Sequence, residues 1–218
     1  VANNPGDAKL LAELANRYSA MKDYDSAIEN YELAYEAQPT NFDLREKAGD
    51  LRIARFDRDL REAQKSGNSE DADRLAEERL AFLVEEYRAR IKDHPTDLVL
   101  HFQLGRALFE SGDYDGAIGE FQQTNRDPRR KIESLTMLGN CFLKKGMFDL
   151  AENQLRKAIE EMPGMSDRAK DILYSLGKLK EKQGKPKDAL VEYKKIYEVD
   201  ISFRDVAERM ETIKKEIA

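Results

Sequence analysis

The chain is short of the residues that most chemistry needs. It has two histidines and one cysteine in 218 residues. A single cysteine, Cys141, excludes an intrachain disulfide and leaves the redox compartment open. Its neighbours Leu138, Phe142 and Leu143 are apolar, so it reads as a small buried hydrophobe rather than a nucleophile. His94 precedes Pro95 at a helix end, and His101 takes a position that packs. No phosphate-binding glycine loop, metal-ligand spacing or nucleophile motif occurs. The longest apolar runs, such as Leu80 to Val84, are far too short to span a bilayer. No signal-peptide pattern occurs either. Positive charge is not in excess: 43 acids against 37 bases give a formal charge of −6. That argues against a general nucleic-acid binder, which needs a basic face. These absences lead us to expect no enzyme, no metal, no cofactor and no membrane insertion.

What is present is charge and repetition. Charged residues make up 37% of the chain and hydrophobic residues 40%, which suits helices with one wet face. Ala27, Ala117, Ala151 and Ala189 each stand four residues before Tyr31, Phe121, Leu155 and Tyr193. Ala117 to Ala151 is 34 residues and Ala151 to Ala189 is 38. Pro39 and Pro163 close two of the stretches. A period near 34 with small and bulky residues at fixed offsets marks a solenoid of helix pairs.

One pair illustrates the pattern. Leu11, Leu14, Ala15 and Tyr18 form one apolar face of a first helix. Lys22-Asp23 makes the turn. Ala27, Ile28, Tyr31, Ala34 and Tyr35 form the face of a second helix, which Pro39 closes. Ala15, Gly49, Gly105, Gly139 and Gly177 on first helices, with the alanines on second helices, mark close crossings. Gly112, Gly146 and Gly184 supply left-handed turns after helix ends. No pair buries its apolar face alone, so the pairs must stack.

The period breaks once. Pro39 to Pro95 is 56 residues, 22 more than one repeat. The only turn signal inside is Lys65-Ser66-Gly67-Asn68-Ser69. Eleven extra residues per arm are about three whole turns, or ~16 Å, so both arms keep their apolar register. A helical hairpin that outreaches its neighbours is expected. Its first arm carries Arg52, Arg55, Arg58 and Arg61. These could meet an acidic partner, but internal pairing is the preferred reading. Asp57 and Asp59 lie on the same arm, and Glu77 and Glu78 on the other. A second basic cluster, Arg126, Arg129, Arg130 and Lys131, could meet an acidic partner or nucleic-acid phosphate, but a solvated loop is the preferred reading.

These residues resemble the tetratricopeptide repeat family over roughly residues 8 to 203. The resemblance implies an all-α, right-handed α-solenoid of antiparallel helix pairs. Repeats are expected at about 8–41, 42–97 with the hairpin around 53–83, 98–131, 132–169 and 170–203. A capping helix is expected at 203–217, with Phe203, Val206, Met210, Ile213 and Ile217 as its apolar stripe. Similar endings occur in bacterial members, which implies a bacterial source. Arg45, His101 and Lys180 depart from the family's bulky apolar positions, and looser packing is expected there. Pro5 falls where an earlier repeat would end, so the chain is read as a fragment. The expected location is the cytoplasm, with any targeting or anchoring segment lying upstream.

In that family the first helices line the concave surface and take a peptide. Here they present Asn16, then Asp43, Glu46 and Asp50, then Val99, Phe102, Arg106 and Phe109, then Asn140 and Leu143, then Tyr174 and Lys178. Phe102, Phe109, Leu143 and Tyr174 are either an exposed anchor patch or are buried by the curvature of the solenoid. With the acidic set they suggest a partner with an apolar anchor and a basic flank. The carboxylate clamp of the family's chaperone adaptor is not reproduced by Ala12, Lys47, Val99 and Gln103. The expected function is a protein-interaction scaffold. Two alternatives stand beside it. One is a scaffold that assembles with itself through repeat ends or the hairpin. The other is an accessory domain of an enzyme whose catalytic part lies elsewhere.

Overall fold

The computed structural model describes residues 7–217; the Pro5 expectation lies outside them. The described residues form eleven α-helices and no strand. They group into two compact units that divide between Leu100 and His101.

The first unit holds α1 (Ala8–Ala20), α2 (Tyr24–Ala37), α3 (Phe42–Lys65) and α4 (Ser69–Asp93). Leu11, Ala15, Tyr31, Ala34, Leu44 and Ala48 form its core. Asp7 caps α1 by accepting from the Lys9 and Leu10 amides, and Asp23 caps α2 through Ser26. The long hairpin is α3 and α4. α3 has 24 residues against 13 in α1, and α4 has 25 against 14 in α2, a difference of 11 in each arm. Arg58 of α3 lies over the ring of Tyr24, the first residue of α2. The seven α3 residues 59–65 lie beyond that contact, about 10 Å of helix. Ala63 and Ala72, both 9% exposed, line the hairpin near its Gly67 turn.

α5 (Leu98–Glu110) starts at the division and continues into the second unit. There follow α6 (Tyr114–Thr124), α7 (Lys131–Lys144), α8 (Phe148–Glu160), α9 (Asp167–Lys182), α10 (Pro186–Tyr197) and α11 (Val206–Ile217). A core of Leu135, Leu155, Ile172, Leu176, Tyr193 and Ile196 extends into α11 through Val206, Met210 and Ile213. The capping helix starts at Val206, three residues later than the stripe suggested. Phe203 to Asp205 form the turn before it, and Arg204 takes a left-handed φ of 48°. Ile217 at its end stays 37% exposed.

The crossings are as tight as the small residues require. A Cβ added at Gly105 would lie 2.8 Å from the Phe121 ring, at Gly139 2.6 Å from Leu155, and at Gly177 2.4 Å from Tyr193. In each case the large side chain of the second helix rests on the bare backbone of the first. Gly112, Gly146 and Gly184 end α5, α7 and α9 in left-handed conformation. Lys22 takes the same place after α1 at φ 61°. After α1, α7 and α9 the turn closes by a hydrogen bond from Asp23, Met147 or Lys185 to the carbonyl five residues back.

Gly139→Val is expected to lower stability by about 2 kcal/mol through overpacking against Leu155. Gly119, in mid-α6, has nothing within 4 Å of an added Cβ. Gly119→Ala is expected to raise stability by roughly 0.5–1 kcal/mol by restricting the unfolded chain. Urea unfolding of both variants measures this.

Candidate partner-binding surface

The first helices of the second unit are α5, α7 and α9. Gly105, Gly139 and Gly177 turn them toward α6, α8 and α10. The next residue on each helix is turned by about 100° away from that contact. These residues are Arg106, Asn140 and Lys178. Arg106 and Lys178 are exposed and Asn140 is half-buried. One turn further along the first two helices, Phe109 and Leu143 are also half-buried. Phe109 packs against Tyr114 with the rings tilted and 5.5 Å apart, and Leu143 packs against the core.

Two residues expected in the patch are elsewhere. Phe102 is 2% exposed: it meets Phe121 edge-on at 5.5 Å, and Arg130 covers it at 5.1 Å. Tyr174 is 8% exposed and is walled in by the C-terminal segment. The Arg204 and Arg209 guanidiniums lie 4.8 and 5.6 Å from its ring centre, and Phe203 packs at 6.3 Å. Its hydroxyl donates to Asp205 at 2.7 Å. Of the two readings of the patch, burial applies to Phe102 and Tyr174. The agents are the α6–α7 and α10–α11 turns. The sequence carried a signal for the second in the charges of Arg204 and Arg209 beside the capping stripe.

The charge left on this face is positive. Glu133 pairs with Arg168 at 3.3 Å, Asp171 with Arg204 at 2.6 Å and Glu181 with Arg209 at 3.0 Å. Arg106 reaches only Glu110, at 3.9 Å. Among the described residues Lys178 has no carboxylate at ion-pair distance and lies over the Tyr174 ring at 5.8 Å.

In the first unit the acidic set is largely engaged. Asp50 accepts from Arg90 at 2.7 Å, and His94 Nε2 lies 3.0 Å from Glu46. Asp43 is exposed, and Asn16 accepts from the Tyr31 hydroxyl at 2.7 Å. Val99, at the start of α5, is 46% exposed, and its amide donates to Asp97. Gly49 is crossed by the carboxylate of Glu86 and the guanidinium of Arg90 in place of an aromatic ring. Both are 8% exposed and bond to each other at 2.7 Å. This buried pair was missed in the sequence; its signal was the i, i+4 spacing of Glu86 and Arg90 on an otherwise apolar face.

The arginines of α3 all make contacts within the unit. Arg52 pairs with Glu32, and Arg55 with Asp25 at 2.5 Å. Arg58 pairs with Asp59 at 2.7 Å, and Arg61 donates to the Asp57 carbonyl at 2.8 Å. The acids that hold Arg52 and Arg55 come from α2 rather than from Glu77 and Glu78. Asp57 instead accepts from Arg79 across the hairpin at 2.7 Å.

The departures from the apolar pattern are paired rather than loose. Arg45 bonds Asp93 at 2.8 Å, His101 lies 2.6 Å from Glu120, and Lys180 bonds Glu152 at 2.6 Å. Burial alone would raise the Glu152 carboxyl. Lys180 and Arg156 outweigh it and hold the group below the ordinary carboxylate value. Cys141 is fully buried, and burial pushes its thiol up to about 11. Among the described residues no group of His, Cys, Asp and Glu is arranged to hold a metal. No described helix is long and apolar enough to cross a membrane.

Antiparallel helix pairs with a small residue, Ala15, Gly49, Gly105, Gly139 or Gly177, at each crossing define a helical-repeat protein. The profile of the tetratricopeptide repeat family matches residues 8–41 and 132–163, one stretch in each unit. Those two stretches match that family, whose members generally serve as protein–protein interaction scaffolds and are generally not catalysts. No curated protein matches the sequence. Among solved structures it is similar to YrrB, a tetratricopeptide protein with an unusual peptide-binding site. The TM-score is 0.56 at 19% identity, over 95% of this chain and 93% of that one. It is also similar to MamA from Desulfovibrio magneticus RS-1, with a TM-score of 0.59 at 14% identity over 90% and 97%. A chain of the Naa15/Naa10 complex bound to HypK-THB gives 0.68 at 15% identity, over 95% of this chain and 29% of that one. At these identities the likeness speaks for the fold alone.

Glu152→Gln is expected to cost about 3 kcal/mol at neutral pH, because Lys180 keeps its charge in a buried site without a partner. The native carboxyl titrates below its unfolded value, so its contribution is complete above the ordinary carboxylate range. It is lost as pH falls through the depressed value. Urea unfolding from pH 7 to 3 should show the gap between the two proteins closing on the acid side.

Proposed function

We propose that the chain is a scaffold that holds an extended segment of another protein along α5, α7 and α9 of its second unit. The observation that carries this is the shared register of Arg106, Asn140 and Lys178. Each follows a crossing glycine and is turned away from the second helices. Helices that repeat a polar group at one register offer evenly spaced contacts to an extended backbone. Asn140 can both donate and accept, as a peptide group requires. Phe109 and Leu143, both half-buried, offer the apolar anchor site beside that row.

The expected basic flank of the partner is revised. Glu46 and Asp50 already have cationic partners, and the acids of α7 and α9 are paired with arginines. The groups left without strong partners are Arg106 and Lys178. The reading therefore takes a partner with an apolar anchor and acidic flanks, and assigns no reaction to the chain.

Immobilised chain should capture its partner from a lysate of the source cells. Arg106→Glu with Lys178→Glu is expected to cut the captured amount at least tenfold while the helical circular dichroism is unchanged. Capture by wild type should weaken as salt rises, as charge contacts at an exposed face do. Equal capture by the variant at every salt concentration would overturn the reading.

A further inference from the structure

Three turns of the second unit share one edge: α6–α7 (residues 125–130), α8–α9 (161–166) and α10–α11 (198–205). Ion pairs tie them side by side. Lys131 bonds Glu161 at 2.5 Å, joining the first to the second. Lys170, in the first turn of α9 just after the second, bonds Asp200 of the third at 2.7 Å. The third turn is held further by the Ser202 amide and hydroxyl, which donate to Asp200 at 3.1 and 2.9 Å. These contacts set the three turns side by side along the edge.

This edge carries two kinds of side chain that the fold leaves unused. Met165 is 43% exposed, Val199 59% and Ile201 67%, all on the second and third turns. A single exposed apolar residue is ordinary, but three on adjoining turns make a patch. On the first turn Arg126 and Arg129 are exposed with no carboxylate at ion-pair distance among the described residues. Asp127, between them, accepts from the Arg129 amide at 3.0 Å. The other cations there are engaged: Arg130 lies over Phe102, and Lys131 bonds Glu161. Of the acids on the other two turns, Glu161 is held by Lys131, Asp200 by Lys170 and Ser202, Asp205 by Arg209 and Tyr174, and Glu198 lies 3.8 Å from Lys194. The edge thus runs from free positive charge to exposed hydrocarbon.

We infer that this edge is a second docking surface, for a protein segment with bulky apolar residues at one end and carboxylates at the other. The apolar end covers Met165, Val199 and Ile201. The carboxylates meet Arg126 and Arg129, whose forked donors match them. The surface is separate from the row of Arg106, Asn140 and Lys178, so the two stand or fall independently.

The test uses a phage-displayed random heptapeptide library selected on the whole chain. Enriched peptides are then synthesised with a fluorophore and titrated by anisotropy. The expected result is a set of peptides with apolar residues followed by Asp or Glu. Their Kd should rise about tenfold in Val199→Ser with Ile201→Ser, and again in Arg126→Gln with Arg129→Gln. It should not move in Arg106→Glu with Lys178→Glu. All these substitutions are at surface positions, and circular dichroism checks the fold. Three outcomes overturn the inference. One is enrichment of basic peptides or of none. Another is peptides that lose binding only in the Arg106 and Lys178 variant, which returns them to the first-helix face. The third is flotation of the chain with vesicles of equal parts phosphatidylglycerol and phosphatidylcholine, lost in the Arg126 and Arg129 variant, which makes the occupant a bilayer.

Discussion

The fold depends on how closely two helices can cross. At Gly105, Gly139 and Gly177 the backbone of a first helix lies against Phe121, Leu155 and Tyr193 with no room for a side chain. Each contact places one large group against one missing one, and all three pairs are 16 residues apart in sequence. Ala15 and Tyr31, both buried in the first unit's core, keep the same spacing. Once this contact is set, the rotation of each first helix is set as well. The residue after each glycine must then point away from its partner helix. The candidate binding row is in this sense a by-product of packing: the crossing that stabilises a pair also aims Arg106, Asn140 and Lys178 outward.

The second pair shows what happens when that contact changes. Gly49 keeps the bare backbone, but Glu86 and Arg90 stand where an aromatic ring would. A buried ion pair contributes little net stability, yet losing one partner is costly. Arg90 also donates to the Glu46 carbonyl and to Asp50, which ties the pair to the facing helix α3. The same logic applies to Lys180, which is 6% exposed and bonded to Glu152. Residues that break the apolar pattern are kept inside by an acid on a neighbouring helix.

Much of this was legible in the sequence because helical period and helix ends are local. The crossing glycines, the left-handed turns at Gly112, Gly146 and Gly184 and the 11-residue growth of each arm of α3 and α4 all follow from spacing. What spacing could not supply was the fate of side chains that face other repeats. Phe102 and Tyr174 stand at first-helix positions that looked open. They are covered by Arg130 and by Phe203, Arg204 and Arg209, all from turns or segments distant in sequence. The partners of Arg52 and Arg55 were misread for the same reason. The acids within the hairpin itself were the expected partners, but α2 lies against α3 in space and supplies Glu32 and Asp25. Burial across repeats is a tertiary property, and a one-dimensional pattern carries only half of each contact.

The central claim is that packing fixes which helices meet a partner: α5, α7 and α9, not α6, α8 and α10. Amide hydrogen exchange of the chain, free and saturated with its captured partner, tests it most directly. The account predicts added protection on α5, α7 and α9, centred near Arg106, Asn140 and Lys178. Added protection concentrated on α6, α8 and α10, with the first helices unchanged, would contradict it.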